Sequence, residues 1–194
     1  MVRRLPLKKI VGRITEISVV FFISQSVVPL SFLMYHYRMT TYVALLRGIM
    51  PTNPNMRNEK LRGVFKALGF TNVQTVISSG NIIFESDLEN AAELEQMIES
   101  ELMKRLGIKC PAYIRSKKQL ESLIRKDPFK GAEHASTSYL IVSFRKNAPR
   151  EIYNVIDTTG PTGQKFMSAI EKKYGKDITT RTWKTVERIV KKMP

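Results

Sequence analysis

The sequence predicts a two-layer α+β fold, and three features of residues 39–130 lead to that prediction. An apolar, partly β-branched run at 40–46 is typical of a buried strand. Two later segments carry apolar residues on a single helical face, and strand-like runs follow each of them. The order is therefore strand, helix, strand, strand, helix, strand. This is the βαββαβ order of a ferredoxin-like sandwich, with both helices on one face of an antiparallel sheet.

The first helix and the hairpin after it have recognisable ends. Asn58 is expected to cap the helix, and Gly69 is expected to close it in a left-handed turn. Two strand-like runs, 72–77 and 81–85, flank Ser78–Gly80 and predict a hairpin, because small residues with one glycine favour a tight turn.

The second helix is predicted from Asn90 and Glu93, which have capping-box spacing, to Gly107. Its acidic residues, including Glu95 and Glu99, are interpreted as an exposed face with a favourable charge in the first turn. The remaining predicted elements are a strand at 111–115, a helix capped by Ser116 with Gln119 and stopped at Asp127–Pro128, strands at 139–144 and 151–156, and helices at 165–174 and 182–193.

The first 38 residues differ from the rest of the chain. Five basic residues precede an uncharged stretch at 17–35, which has about the length that a membrane span requires. Polar residues at 24–26 and Pro29 weaken that interpretation. Two other interpretations are open. The stretch is a signal sequence without a clean cleavage site, or it is upstream sequence read in frame before a true start at Met39. We expect a non-homologous extension with an over-extended start, and a hydrophobic anchor is the alternative.

Charge and residue content narrow the function classes. The net charge is +15, and residues 39–194 keep +10 because 26 basic and 16 acidic residues remain there. Such a chain attracts nucleic acid, anionic lipid or acidic ligands without specificity. The single cysteine, Cys110, excludes an internal disulfide and is expected to be a buried, inert thiol. His36 and His134 are far apart and provide no zinc pattern, so we expect no metal and no cofactor.

Three stretches resemble a known bacterial family. They are MTTYVALLRGI at 39–49, LGFTNVQTVISSGNIIFES at 68–86 and YGKDITTRTWKTVERI at 174–189. Together they are similar to the family of unknown function numbered 1697 (DUF1697), whose members typically open with a YVALLRGIN-like strand, carry an SGN motif and end with a T-x-R-N-W-like segment. The resemblance covers 39–194 and implies a ferredoxin-like N-terminal domain, a smaller C-terminal part and a start near Met39. It implies no established activity.

The sequence departs from the family pattern in three places. Met50–Pro54 stands where members usually have a glycine-containing stretch, so we expect no glycine-lined ligand loop there. Members usually have more chain between Arg145 and Glu151, so the C-terminal subdomain is expected to be trimmed. Thr182 and Lys184 stand where members tend to have Asn. The expected organisation is an extension at 1–38, a ferredoxin-like domain at 39–130 and a smaller basic subdomain at 131–194.

Two loops are candidate ligand sites. Ser78, Ser79, Gly80 and Asn81 could present backbone N–H groups and two hydroxyls to an anion. A hairpin turn, in which Gly80 supplies a positive φ, explains the same residues without a ligand. The loop at 160–164 followed by Lys165 resembles a phosphate loop, but its glycine–lysine spacing does not fit nucleotide binding, which leaves weak anion binding.

Basic residues at two other places complete the candidate site. Arg47 ends the first strand, where it could point into a ligand cleft or be an ordinary surface arginine. Arg181 and Lys184 flank Trp183, and basic groups beside an exposed aromatic ring suit single-stranded nucleic acid. Trp183 also shares a helical face with valines, which favours a position in the core.

Three function classes are open. We predict a cytoplasmic binding protein for an anionic small molecule or nucleic acid; a membrane-anchored protein is the alternative if 17–35 is a real anchor. A small cofactor-free enzyme is the second class, although no nucleophile–base–orienter set is apparent. The third is an assembly protein that uses an open sheet face or edge. The aromatic and glycine signature of RNA-recognition domains is absent. The sequence leaves the ligand, enzymatic activity and oligomeric state undetermined.

Overall fold

The computed structural model describes residues 39–146, 151–157, 159 and 162–194, with their side chains except at 162–164 and 167. The strands in these ranges are β1 (Thr40–Leu46), β2 (Thr71–Thr75), β3 (Asn81–Ser86), β4 (Ala112–Ser116), β5 (Ser138–Arg145), β6 (Ile152–Asp157) and β7 (Ile178–Thr182). The helices are α1 (Asn58–Ala67), α2 (Ala91–Leu106), α3 (Lys117–Lys126), α4 (Thr162–Tyr174) and α5 (Trp183–Lys192), and a short 3-10 helix spans Pro54–Met56.

The first four strands form an antiparallel sheet, sheet A, in the order β2-β3-β1-β4. β1 is central, and its Val43 lies opposite Ile83 on β3 and Arg115 on β4. Helix α1 connects β1 to β2, helix α2 connects β3 to β4, and both pack on the same face of the sheet. This is the ferredoxin-like βαββαβ arrangement, and it confirms the predicted fold class.

One face of sheet A and the two helices α1 and α2 enclose the first apolar core. Because successive side chains of a strand point to opposite faces, Tyr42, Ala44 and Leu46 all point toward these helices. Each large apolar side chain fully buried in such a core contributes roughly 1.5–3 kcal/mol. Their main partners are Leu61, Val64, Phe65, Phe84, Leu94, Ile98 and Leu102.

The C-terminal strands form a second antiparallel sheet, sheet B, in the order β6-β5-β7. Its central strand β5 places Ile141 opposite Asn154 on β6 and Thr182 on β7. The sequence analysis assigned no strand to β7, because the run ITTRT has a single strongly apolar residue and leads directly into a helix. Pairing with the distant strand β5, rather than hydrophobic alternation, makes this segment a strand.

The second face of sheet A packs against sheet B, α3 and α5. Val43 and Leu45, which alternate with the residues of the first core, belong to a second apolar core together with Val142 and Phe144 of β5 and Trp183 of α5. β1 is therefore buried on both faces. Both faces of sheet A are covered, so the open sheet face considered for an assembly protein is not present there. The predicted segments 39–130 and 131–194 share this core, and the boundary between them stays a prediction.

The predicted capping signals are confirmed at two helices and wrong at one. Asn90 caps α2 and accepts from two N–H groups of its first turn, and Ser116 with Gln119 forms the capping box of α3. At α1, Arg57 occupies the N-cap position without a side-chain hydrogen bond, and Asn58 is the first helical residue. The predicted capping residue therefore lies one position after the N-cap, inside the helix.

Two glutamate side chains of helix α2 satisfy outward N–H groups of the edge strand β4. Glu99 Oε1 accepts from the N–H of Ala112 at 2.8 Å, and Glu95 Oε1 accepts from the N–H of Ile114 at 3.0 Å. Four residues of a helix rise about 6 Å, and two residues of a strand rise about 6.6 Å. The spacing of the two glutamates along α2 therefore matches the spacing of the two N–H groups along β4. Glu95 is 5% exposed, so the interpretation of this residue as part of an exposed acidic face is wrong. This edge has few free N–H groups with which another strand could pair.

Some predictions lie outside the described residues. The extension at 1–38, with its uncharged stretch at 17–35, is among them, so the anchor, signal and upstream interpretations stay predictions. In the part of the chain that the structure describes, no helix has both the length and the apolar character needed to cross a bilayer. The segment 147–150, where the family usually has more chain, also lies outside this part.

Candidate functional site

The motifs from three distant parts of the sequence meet at the end of β1. The N–H of Leu46 donates to the carbonyl oxygen of Gly80 at 2.7 Å, and the N–H of Arg47 donates to that of Pro111 at 2.9 Å. Strand β7 carries Arg181 to the same place. The structure thus brings together five of the predicted site residues, Arg47, Ser79, Gly80, Asn81 and Arg181, whereas Lys165, Trp183 and Lys184 lie elsewhere.

The side chain of Arg181 is at the centre of this contact, and its partners in the described chain are neutral oxygen atoms. They are Asn81 Oδ1, Thr179 Oγ1 at 2.9 Å and the carbonyl oxygens of Thr180 at 2.7 Å, Leu46 at 2.8 Å, Ser79 at 3.3 Å and Gly80 at 3.4 Å. Burial lowers the pKa of Arg181 to about 10, so the guanidinium is protonated at neutral pH. Because all three of its nitrogen atoms already donate within the protein, Arg181 is poorly placed to bind an anionic ligand.

The turn before β3 is shaped for this contact. Asn81 is fully buried, and its Nδ2 donates to the carbonyl oxygen of Val76 at 3.1 Å and to Ser79 Oγ at 2.9 Å. Gly80 has a φ of +75°, and a Cβ at this position would lie 2.5 Å from Ile49 Cγ1. The position therefore requires glycine for its conformation and for close approach. These contacts explain the three residues as a turn that faces the protein interior.

Arg47 makes a second contact between β1 and the C-terminal part of the chain. Its Nη1 donates to the carbonyl oxygens of Lys176 and of Ile178, the latter at 2.9 Å, and its Nη2 forms an ion pair with Glu171 on α4. The Arg47 side chain is 28% exposed. The Arg47 side chain faces the C-terminal elements, where Glu171 neutralises its charge. It does not point into a ligand cleft, which was one of the two positions considered from the sequence.

Cys110, Tyr113 and Asp177 lie in the same region, although the sequence analysis did not select them for a site. Cys110 Sγ donates to the carbonyl oxygen of Arg47 at 3.1 Å, and burial raises the pKa of the Cys110 thiol to about 11. This confirms a buried thiol that is protonated at neutral pH. The Tyr113 hydroxyl donates to Asp177 Oδ1 at 3.3 Å, and burial raises the pKa of Tyr113. No spacing rule predicts a pair separated by 64 positions.

We use the name polar seam for the contacts of Arg47, Asn81, Tyr113, Asp177 and Arg181. These contacts join the end of β1 and the turn before β3 to strand β7 and the residues that precede it. Hydrogen bonds to charged groups contribute about 1.5–3 kcal/mol each. The polar seam therefore has the chemistry of a structural joint between the two sheets.

A different set of cations is exposed on α3 and α5. The two helices pack side by side and run antiparallel: Lys117 Nζ at the start of α3 donates to the carbonyl oxygen of Pro194 at 2.6 Å, and beyond the other end of α3 the rings of Phe129 and Trp183 lie 5.3 Å apart. Seven basic residues of these two helices are exposed, and we use the name basic face for five of them: Lys118, Arg125, Lys184, Arg188 and Lys191. The other two, Lys126 and Lys192, are the last residues of α3 and α5.

The cations of the basic face have no carboxylate partners among the described residues. No ion pair involves any of the five within the ranges that the structure covers, and Glu187 is the acidic residue exposed beside them on α5. By contrast, Lys117 of the same region lies 3.8 Å from Glu121. The basic face therefore keeps its charge available to an external anion.

The two remaining predicted site residues have different surroundings. Trp183 is 8% exposed and packs edge-to-face on Phe129, so its ring belongs to the core and is not free to stack on a base. Lys165 is exposed on α4. The loop at 160–164 lies outside the described side chains, so anion binding there stays a prediction. No cluster of three or more His, Cys, Asp or Glu side chains is placed to hold a metal ion among the described residues.

The family can be identified from the sequence profile of DUF1697, a family of proteins of unknown function, which matches residues 39–167. The chain belongs to the DUF1697 family. Its fold is similar to that of the conserved bacterial protein SP0830 from Streptococcus pneumoniae, with a TM-score of 0.58 and 19% identity over 79% of this chain and 98% of that chain. At this sequence identity, the similarity supports a shared fold and says nothing about function. No curated protein matches the chain.

In this DUF1697 protein, the motifs that carry the family resemblance serve the polar seam. The SGN turn supplies Asn81 and the close approach of Gly80, and the TRTW segment supplies Arg181 to the polar seam and Trp183 to the second core. The residues that are easiest to recognise in the sequence therefore join the two sheets. The basic face lies apart from them, on the outward side of α3 and α5.

Proposed function

We propose that this protein binds nucleic acid through its phosphate groups, using the basic face on α3 and α5. The observation that supports this proposal is that five exposed cations lie on two adjacent helices without carboxylate partners in the described chain. Lysine and arginine side chains that are not neutralised internally attract phosphates, and binding releases condensed counterions.

The layout of the cations favours an extended polyanion over a small anionic ligand. Helix α5 has 10 residues and is about 15 Å long, and Lys184, Arg188 and Lys191 are spread along it. A single strand of nucleic acid carries a charge about every 3.4 Å. Several phosphates can therefore contact the face together, whereas a small anion can contact only one part of it. Because Trp183 is buried, we expect binding without base stacking on this ring and without strong sequence preference.

The test is a salt titration of the binding of the full chain to a fluorescently labelled single-stranded DNA, followed by anisotropy. If about four phosphates are contacted, the logarithm of the affinity should fall with the logarithm of salt concentration with a slope of about −2.8. The double variant Arg188→Ala with Lys191→Ala should reduce this slope by about 1.4.

A matched control removes two exposed cations from the opposite side of sheet A. Lys66→Ala with Lys104→Ala changes α1 and α2 and lowers the net charge by the same amount. The control should retain most of the slope, because its residues lie away from the basic face. Loss of affinity that is equal in both double variants, or no binding at about 0.1 M salt, would contradict the proposal.

A further inference from the structure

A cavity of about 320 Å³ lies beside the edge strand β4, away from the polar seam. It is partly open to solvent and is lined by the first turns of α2, by β4, by α3 and by Glu151 before β6. Its walls are partly apolar, with Ile114, Leu120 and Leu123, and partly polar, with Glu95 and Gln119. A volume near 300 Å³ with a few polar groups on an apolar wall is within the range of small-molecule sites.

The carboxyl group of Glu95 is the unusual feature of this cavity. One oxygen accepts from the N–H of Ile114 at 3.0 Å, but no ion pair of Glu95 occurs within the described part of the chain. Glu99, one turn later on α2, accepts from β4 in the same way and is also paired with Lys146. Burial raises the pKa of Glu95. Glu95 is thus a buried carboxyl group without an ion pair in the described chain, and it lines a cavity large enough for a ligand.

Two cations, Lys146 and Arg115, are close enough to favour the charged form of Glu95, but both donate to other groups. Lys146 pairs with Glu99. Arg115 donates to Glu151 at 2.7 Å and to the carbonyl oxygens of Ile114 at 2.7 Å and Arg145 at 2.8 Å. Lys126 also lines the cavity, but it is an exposed residue at the end of α3. The cavity therefore offers an unpaired carboxyl group at the buried side, apolar walls and an exposed ammonium group.

We propose that this cavity binds a small aliphatic α-amino acid. The ammonium group of the ligand would pair with Glu95, its aliphatic side chain would lie against Leu120 and Leu123, and its carboxylate would face Lys126. A buried carboxylate is costly without a partner, and an ammonium ligand supplies that partner. The site is independent of the basic face and of nucleic-acid binding.

Isothermal titration calorimetry of the full chain with three related probes tests this assignment. L-leucine has both charged groups, 3-methylbutylamine lacks the carboxylate, and 4-methylpentanoate lacks the ammonium group. We expect binding of leucine with a dissociation constant in the millimolar range or tighter, weaker binding of the amine, and no measurable binding of the acid. Binding of the acid that equals or exceeds that of leucine, or no heat from leucine and the amine, would overturn the proposal.

Two glutamates with the same structural task provide a matched pair of variants. Glu95→Gln keeps an oxygen that accepts from the N–H of Ile114 and removes the charge, so it should weaken leucine binding at least tenfold. Glu99→Gln makes the same change at the neighbouring N–H of β4 and should leave binding within twofold, because Glu99 does not line the cavity. Equal effects of the two variants would refute the role of Glu95.

A further variant keeps the test decisive if Glu95→Gln fails to fold. Ser122 lines the cavity and is only partly buried, so Ser122→Leu should fill part of the space with little damage to the core. We expect this variant to retain its circular dichroism spectrum and to lose leucine binding at least tenfold. Unchanged leucine binding by a folded Ser122→Leu protein would show that the ligand lies elsewhere.

Discussion

The polar seam and the basic face are both rich in positive charge, but they use it in opposite ways. In the polar seam, Arg181 donates to neutral oxygen atoms and Arg47 pairs with Glu171, so these guanidinium groups are used by the protein itself. On the basic face, Arg188 and Lys191 extend from a helix whose apolar side is buried, and they have no carboxylate partner in the described chain. The charge is the same in both regions. Whether the N–H donors of a cation already have partners within the protein decides whether that cation is structural or available for binding.

The comparison also shows why a recognisable motif need not mark a ligand site. The motif residues Asn81 and Arg181 lie 100 positions apart and contact each other in the interior. Their removal should therefore affect folding first. Removal of charges from the basic face should affect binding and leave folding nearly unchanged. The four predictions that follow test this contrast, from the largest expected effect to the smallest.

Replacement of the central arginine should have the largest effect. Arg181→Ala leaves at least three acceptors without donors, among them Asn81 Oδ1 and the carbonyl oxygen of Leu46. Each unsatisfied buried group costs about 1–3 kcal/mol, so we expect a loss of about 3–5 kcal/mol in the free energy of unfolding, measured by urea denaturation. Arg181→Lys should recover part of the loss, because it restores the charge and some donors. A loss below about 1 kcal/mol for Arg181→Ala would show that the polar seam does not act as a structural joint.

A pair of glycine variants separates backbone conformation from close approach. Gly80 and Gly48 both have a φ of +75°, but only Gly80 is near other atoms, with Ile49 Cγ1 at 2.5 Å from an added Cβ. Gly48→Ala should cost about 1 kcal/mol for the left-handed conformation. Gly80→Ala should cost about 2–3 kcal/mol, because overpacking adds to that cost. Thermal unfolding of the two variants measures the difference, and equal losses would show that the turn can move away from β1.

The pH dependence of stability should reveal the buried carboxyl group of Glu95. Its pKa is raised in the folded protein, so the folded state binds the proton more tightly than the unfolded chain does. Stability conferred by this group should therefore increase as the pH falls through the raised pKa toward the reference value of 4.5. Relative to Glu95→Gln, the wild-type protein should gain stability over this window in urea titrations at several pH values. Parallel curves for the two proteins would contradict the raised pKa.

The smallest effect on stability is expected on the basic face. Arg188 is exposed and has no ion-pair partner in the described ranges, so Arg188→Ala should change the free energy of unfolding by less than about 0.5 kcal/mol. The same variant should weaken binding to single-stranded DNA. If Arg188→Ala destabilises the protein as much as Gly80→Ala does, the contrast between the polar seam and the basic face fails.

The sequence analysis predicted elements well where local rules were sufficient. The strand at 40–46, the cap at Asn90 and the capping box at Ser116 are confirmed because each depends on neighbours within four residues. Strand β7 was not predicted, because its identity depends on pairing with β5 more than 30 positions away. The candidate site was predicted only in part: Arg47, Asn81 and Arg181 belong to the polar seam. The turn at Asn81 was predicted as an alternative, but the burial of Arg181 against that turn was not.

The sequence by itself determined the order of strands and helices except for β7, the family and the excess of positive charge. Hydrophobic periodicity and capping residues depend on near neighbours, and composition is a sum over the chain. Only the tertiary structure decided which cations are neutralised, which face of sheet A is covered and why Glu95 is buried beside a cavity. The physical reason is that a hydrogen bond or a desolvated charge depends on groups that folding brings together from distant positions. Sequence spacing carries no information about such distances.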